Sequence, residues 1–282
     1  MKIKLLTTLI LFCSLIINGQ NFTGKAIYKT SIKSSFSFGD DKNSTMSDDM
    51  KKRLHARMQK MNQKTFILYF DQKASTYKEE IQLDAPKPQV GGAGVVLMSF
   101  GGSGNGSVYF KNIKEQRFSN QTEIMGKRFL VKDKLPEFEW ELSSETKNIG
   151  NYTCYKATFT KEVENIIMTI DKGESKKEEK KEIITTTAWY TLQVSVSNGP
   201  DNYQGLPGLI LEINDGKKTI VCTEIVLNPS DKIKIAEPEK GKVVSQKEFN
   251  KIQKQKSKEM METFKSRKGV DLGNSLNIKI GG

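Results

Sequence analysis

The chain has 282 residues, 36% hydrophobic and 28% charged, with 45 Lys and Arg against 33 Asp and Glu for a formal net charge of +12. That is enough apolar material for one large domain with its own core, and it excludes a disordered chain. A single histidine and three cysteines exclude a zinc site of the usual several-ligand kind and leave a Ser-His-Asp or Cys-His arrangement only His55 to work with.

Lys2 and Lys4 precede the apolar stretch Leu5 to Ile17, and Gly19 and Gln20 follow. This reads as a signal peptide over residues 1–20, too short to span a bilayer. Phe12 stands before Cys13 where a lipid-anchored chain would carry a small residue, so no lipid anchor is expected. No later apolar run reaches the roughly 18 residues of a transmembrane helix. The mature chain is expected to be exported, periplasmic, and soluble or peripheral to the outer membrane. Loss of Lys2 and Lys4 would take the charge from +12 to +10 (12 − 2).

Residues 21–240 read as one β-rich domain. Strands are expected from Phe22 to Phe38, beginning with Gly24–Thr30. Ser47, followed by Asp48 and Asp49, is a natural N-cap. Met50, Leu54, Met58 and Met61, at spacings of four, four and three, form the apolar stripe of a helix that packs on the sheet. Phe66–Phe70 and Ala74–Glu80 form a hairpin around Asp71-Gln72-Lys73. A glycine-rich loop, residues 86–107, follows and carries the apolar island Val95 to Phe100. Short strands resume at Val108–Phe110, Arg117–Ile124, Lys127–Val131, Glu139–Leu142 and Tyr152–Lys161, which argues a largely antiparallel sheet. Glu137, Glu139 and Glu141 alternate with Phe138 and Trp140, giving one solvated and one buried face. The charged run 171–182 between two strands is expected to be a solvated hairpin tip.

Gly205-Leu206-Pro207-Gly208-Leu209-Ile210 reads as a turn feeding a buried strand. Leu206-Pro207-Gly208-Leu209 suits a type II turn, with Pro207 presetting φ and Gly208 accepting a positive φ. Leu209, Ile210, Leu211 and Ile213 form a strand covered on both faces. Asn214-Asp215-Gly216 turns it back into Thr219–Val226. The loop is an architectural corner on one reading; on the other, Tyr203, Gln204 and the glycines face a ligand. Residues 241–282 form a basic helix and a tail. Ser245-Gln246-Lys247-Glu248 is a capping box, and the helix is expected to run to about Lys268, stopped by Gly269. Phe249, Ile252, Met260, Met261 and Phe264 are its sparse apolar side. Ser275 to Ile280 either adds an edge strand or stays free.

The hexapeptide has ordered company: Lys134-Leu135-Pro136, Trp140, Ile149 to Thr158, Thr187-Ala188-Trp189-Tyr190-Thr191 and Asn198-Gly199-Pro200. Over roughly residues 22 to 235 the chain resembles the GLPGLI family of exported proteins of the Bacteroidota. That resemblance implies an exported location, no established activity, and genes that often sit beside TonB-dependent receptors.

The remaining chemistry is sparse. Cys154 and Cys222, in an oxidising compartment, could close a disulfide or stay as two buried thiols. His55 with three methionines is a core stripe rather than a copper site. The Gly101–Ser107 run lacks the lysine and the helix of a phosphate loop. No metal and no cofactor are expected. The basic balance favours acidic partners, yet basic residues are not interleaved with aromatics as in single-strand nucleic-acid binders.

The expected fold is therefore mainly β (α+β): a curved, largely antiparallel, open or half-barrel sheet with one packed helix and a C-terminal basic helix. The expected function is non-enzymatic binding or accessory work in the periplasm, in association with an outer-membrane protein or transporter. A carrier of an apolar ligand such as lipid is the alternative, and an enzyme the minor one. An anionic membrane or lipid is a further partner, and nucleic acid is not. Candidate ligand- or partner-binding residues are Tyr203, Gly205, Leu206, Pro207 and Gly208 in the hexapeptide loop, Phe100 in the glycine-rich loop, and Lys251 and Lys254 on the helix.

Overall fold

A computed structural model describes residues 22–33, 37–38, 63–80, 106–171, 174–266 and 275–280, together with the helical positions Asp49, Lys52, Arg53 and Ala56. Residues 1–21, Met50, Leu54, His55, Met58, Met61, and Val95 to Phe100 lie outside the described residues. The described strands are β1 (Gly24–Ile32), β2 (Ser37–Phe38), β3 (Gln63–Phe70), β4 (Ala74–Glu79), β5 (Val108–Asn112), β6 (Arg117–Ile124) and β7 (Lys127–Lys134). They continue with β8 (Glu141–Ile149), β9 (Tyr152–Asp171), β10 (Glu174–Thr191), β11 (Leu209–Asn214), β12 (Lys218–Leu227), β13 (Lys242–Val244) and β14 (Ser275–Ile280). Helix α1 spans Gln246–Ser266, just before β14.

All fourteen strands join one open sheet in the order β13-β7-β6-β5-β4-β3-β1-β12-β11-β10-β9-β14-β2, with β8 beside the first half of β9. Every pairing is antiparallel except β13 on β7. Strand β1 sits in the middle, with β3 on one side and β12 on the other. The sheet is strongly curved. Flat, β5 and β11 would lie about 24 Å apart at the usual interstrand spacing. Yet Lys111 of β5 donates to the Gly199 carbonyl at 2.6 Å while the Ile210 amide of β11 donates to the adjacent Asn198 carbonyl at 2.9 Å.

Burial follows the strand period. Ala26, Tyr28 and Thr30 of β1 point inward and alternate with half-buried Lys25 and Ile27 and exposed Lys29. The main core gathers Tyr28, Leu68, Phe70, Ala157, Phe159, Ala188 and Tyr190 with the crossing segment between β10 and β11. A second cluster under α1 holds Phe118, Phe129, Val131, Leu135, Val244 and Phe249. Leu209, Ile210 and Ile213 are fully buried and Leu211 nearly so, as expected of their nearly continuous apolar run.

Two strand boundaries differ from expectation. The charged run is not a broad tip: β9 extends to Asp171 and β10 resumes at Glu174. The two strands stay paired through the charged run, and Lys181 of β10 meets Glu162 of β9 at 2.7 Å. Residues 135–140 are extended but outside any strand, and β8 starts only at Glu141 and runs to Ile149. The expected alternation survives there, with Glu137, Glu139 and Glu141 exposed and Phe138 and Trp140 half-buried.

Candidate functional site

The chain leaves β10 at Thr191, crosses the concave side of the sheet as residues 192–208, and re-enters at Leu209. Alternate residues of the crossing face inward: Val194, Val196 and Asn198 are buried, as are Tyr203, Gln204 and Leu206. The crossing folds on itself through an antiparallel bridge between Asn198 and Gln204 and a bond from the Leu209 amide to the Val194 carbonyl at 3.0 Å.

Polar struts from four parts of the chain hold it. Lys111 donates to the carbonyls of Gly199 at 2.6 Å and Tyr203 at 3.0 Å. Ser75, opposite Lys111 across β4 and β5, donates to the Asn198 side-chain oxygen at 3.2 Å. The Tyr28 hydroxyl donates to the Ile210 carbonyl at 2.7 Å. From the other side, Trp140 Nε1 donates to the Gln204 carbonyl and Gln204 Nε2 to the Pro136 carbonyl, both at 2.9 Å. Phe138 stacks on Tyr203 with centroids 5.5 Å apart, and Trp140 meets Phe159 edge-on at 4.8 Å. Pro136 and Trp140 thus converge with Asn198-Gly199-Pro200 on one loop, while Leu135 packs in the second cluster.

The hexapeptide itself departs from the type II turn. The positive φ belongs to Gly205, at 95°, and not to Gly208. Gly208 is glycine for space: a Cβ there would lie 2.0 Å from the Thr191 carbonyl oxygen, so the crossing can close on the end of β10 only without a side chain. Gly205 and Pro207 are exposed, whereas Leu206 is buried in the core. Tyr203 is buried too, so it faces the protein's own sheet and not an open site.

Around the 199–203 bend lies a cluster of titratable groups. Burial pushes the Lys111 ammonium down to about 7, and Asp201 partly opposes that shift. Asp201, in the left-handed region at φ 54°, pairs with Lys218 at 2.9 Å. Burial raises its carboxyl, but the charge and hydrogen bond of Lys218, with Lys111, outweigh this and hold it below its ordinary value. Asp201 in turn raises Lys218. Burial raises the phenols of Tyr77 and Tyr109, with Asp201 adding to both. Tyr203 is pushed up to about 12, again chiefly by burial. Lys218 also stands 5.7 Å from the Tyr203 ring centre. The arrangement fixes charge in place. Lys111, fully buried and with both contacts to main-chain carbonyls, is a strut and not an accessible amine.

Of the remaining candidates, Phe100 lies outside the described residues, and Lys251 and Lys254 are exposed on α1, far from the loop in the strand order. Cys154 and Cys222 are free buried thiols, which burial pushes up to about 11 and about 12 respectively. Among the described residues no group of three or more His, Cys, Asp or Glu could hold a metal ion. Sequence reasoning missed Lys111, Asp201 and Lys218. The only signal for Lys111 was its parity with Tyr109 on β5, which puts it on the inner face.

Residues 140–212 match a family model described as "Protein of unknown function (Porph_ging)"; they run from Trp140 through the crossing and the hexapeptide. No curated protein matches. Among solved structures, the chain resembles two of PNGF-II, in C2 and P21 space groups, each at 14% identity with TM-scores of 0.46 and 0.47. The resemblance covers 83% of this chain, which spans about a third of the PNGF-II chains (33% and 34%).

Proposed function

We propose that this is a GLPGLI-type exported accessory protein of the cell envelope, non-enzymatic, which binds a membrane-associated partner through its outer surface. One observation carries the reading: the concave face, where a carrier would hold its ligand, is filled by residues 192–208, whose main chain and side chains are tied to the sheet by Lys111, Ser75 and Trp140. Among the described residues, the exterior offered to another molecule is made of strand edges, the β9–β10 arm and α1. The basic, apolar start of the sequence supports export.

The test is a mild-detergent pull-down of the tagged mature protein from its own cells, with mass spectrometry of proteins and lipids. A stoichiometric envelope protein is expected. Stoichiometric apolar lipid without a protein partner would replace this reading with the carrier, and recovery of neither would sink both.

A further inference from the structure

None of the nine residues of β8 is buried, and among the described strands only β9 pairs with it. In a strand with one neighbour, alternate N–H and C=O groups turn away from that neighbour. The strands that end the sheet, β13 and β2, are three and two residues long, and short edges resist pairing with other chains. A nine-residue edge does not have that protection.

The approach to this edge and its first residues have two unlike faces. Phe138 and Trp140 pack on the main core. Leu142 continues their side, standing opposite the fully buried Ala157, yet it is 61% exposed. Glu137, Glu139 and Glu141 alternate with these three and are all exposed. Among the described residues they have no ion-pair partner, whereas Glu145 pairs with Lys156 at 2.8 Å and Lys147 with Glu212 at 2.7 Å. Residues 137–149 hold four glutamates against one lysine, in a chain whose formal net charge is +12.

We propose that the open edge of β8 receives an added strand from the partner protein, an extended segment in which basic and apolar residues alternate. Main-chain hydrogen bonds to the edge supply affinity, and the side chains on either face supply specificity. Basic residues of the segment meet Glu139 and Glu141 on the outer face, and an apolar residue covers Leu142 on the inner one. The same carboxylates repel an acidic strand, and they repel β8 of a second copy. This inference rests on the reading that a partner binds the exterior, and it names the part of the exterior and the chemistry of the segment.

The test uses the full mature chain and three short labelled peptides, read by fluorescence anisotropy. One alternates lysine with valine, one alternates glutamate with valine, and one is the lysine peptide with its central valine replaced by proline, which cannot donate to a ladder. Only the first should bind, more weakly as salt rises. Its affinity should fall about tenfold in the variant Glu137→Gln, Glu139→Gln, Glu141→Gln. A control that removes the same charge elsewhere, Glu164→Gln, Glu178→Gln, Glu239→Gln, should bind as the native chain does. Amide hydrogen exchange should slow in residues 141–149 when the peptide is bound. No binding of the lysine peptide, equal binding of the proline peptide, equal loss in the control, or protection outside β8 would each overturn the proposal. So would self-association through β8 without peptide binding. A partner recovered equally by the native chain and the triple glutamate variant in the pull-down would overturn this surface and leave the accessory reading standing.

Discussion

Gly205 and Gly208 lie three residues apart in one hexapeptide and are glycines for different reasons. At Gly205 the φ of 95° is the constraint, and a Cβ would meet Trp140 only at 3.7 Å; Gly205→Ala should cost about 1–3 kcal/mol of backbone strain. At Gly208 the obstacle is Thr191 backbone at 2.0 Å, which cannot swing aside, so Gly208→Ala should cost about 3 kcal/mol or more or abolish folding. Pro207 is exposed, and Pro207→Ala should stay within about 1 kcal/mol. Chemical denaturation of the three variants checks the order, and an equal cost for both glycines would contradict it. Lys111 makes a pH prediction. Its folded pKa of about 7 lies below that of an unfolded lysine, so above pH 7 the unfolded chain binds more protons and stability rises with pH, by at most about 1.4 kcal/mol per unit. Cys154, Cys222 and the buried tyrosines have raised values. Their contribution is complete below about pH 9 for the thiols and is lost above it. Stability should therefore climb from pH 7 to about 9 and fall beyond, and Lys111→Met should flatten the climb. The hexapeptide was legible as a buried corner, but the roles of its glycines were not, because close approach to Thr191 is a tertiary fact. Lys111 was illegible for the same reason: nothing in the letters distinguishes a lysine that caps two distant carbonyls from one in water.

At the scale of elements, local signals were read well and partners poorly. The capping box placed the start of α1 at Gln246 because Ser245 and Glu248 satisfy each other's amides without help. Hairpins around Asp71-Gln72-Lys73 and Asn214-Asp215-Gly216 follow the same logic, with Asp71 accepting from the Lys73 and Ala74 amides at 2.6 and 2.7 Å and Gly216 at φ 86°. The charged arm misled because net polarity was taken for a loop. Before Thr187 β10 has only β9 beside it among the described strands, so its Lys and Glu lie along a sheet edge, where charged residues are well suited. Among the described residues β11 covers β10 only from Thr187 to Thr191, and the charges along the rest of that edge discourage pairing with another chain. Among its described side chains, α1 docks by Phe249 and Ile252. Phe249→Ala should remove its main anchor at about 3 kcal/mol, detaching the helix while the sheet persists. Loss of helical signal at 222 nm at a lower temperature than the sheet's unfolding is the expected readout. A single cooperative transition for both would show that α1 is integral to the core.

At the scale of the molecule, the sheet joins two runs of sequence neighbours through pairings between distant strands, and this decides how the chain must fold. The meander β3 to β7 is built from neighbours, and so is the hairpin β9–β10. Their union is not: β1 pairs with β12, β7 with β13, and β2 with β14. Lys111 reaches Gly199 and Tyr203 across the same divide. An antiparallel sheet could be inferred from strand spacing, but the central place of β1 could not, since either neighbour satisfies its inward face of Ala26, Tyr28 and Thr30. Long-range pairings of this kind make folding slow, on the scale of milliseconds to seconds or longer. They also make the chain indivisible. A cut at the exposed Gly150-Asn151 turn separates residues 22–150 from 151–282 and severs only one covalent link, yet it parts β8 from β9 as well as the three pairs just named. Each fragment then carries an open hydrophobic edge and half a core. Neither should show a cooperative thermal transition alone, while co-refolding the two should restore a 1:1 complex with one transition. If residues 151–282 unfold cooperatively by themselves, the loop 192–208 has its own foundation in β9 to β12, and the struts from Lys111 and Ser75 are accessories to a fold that stands without them.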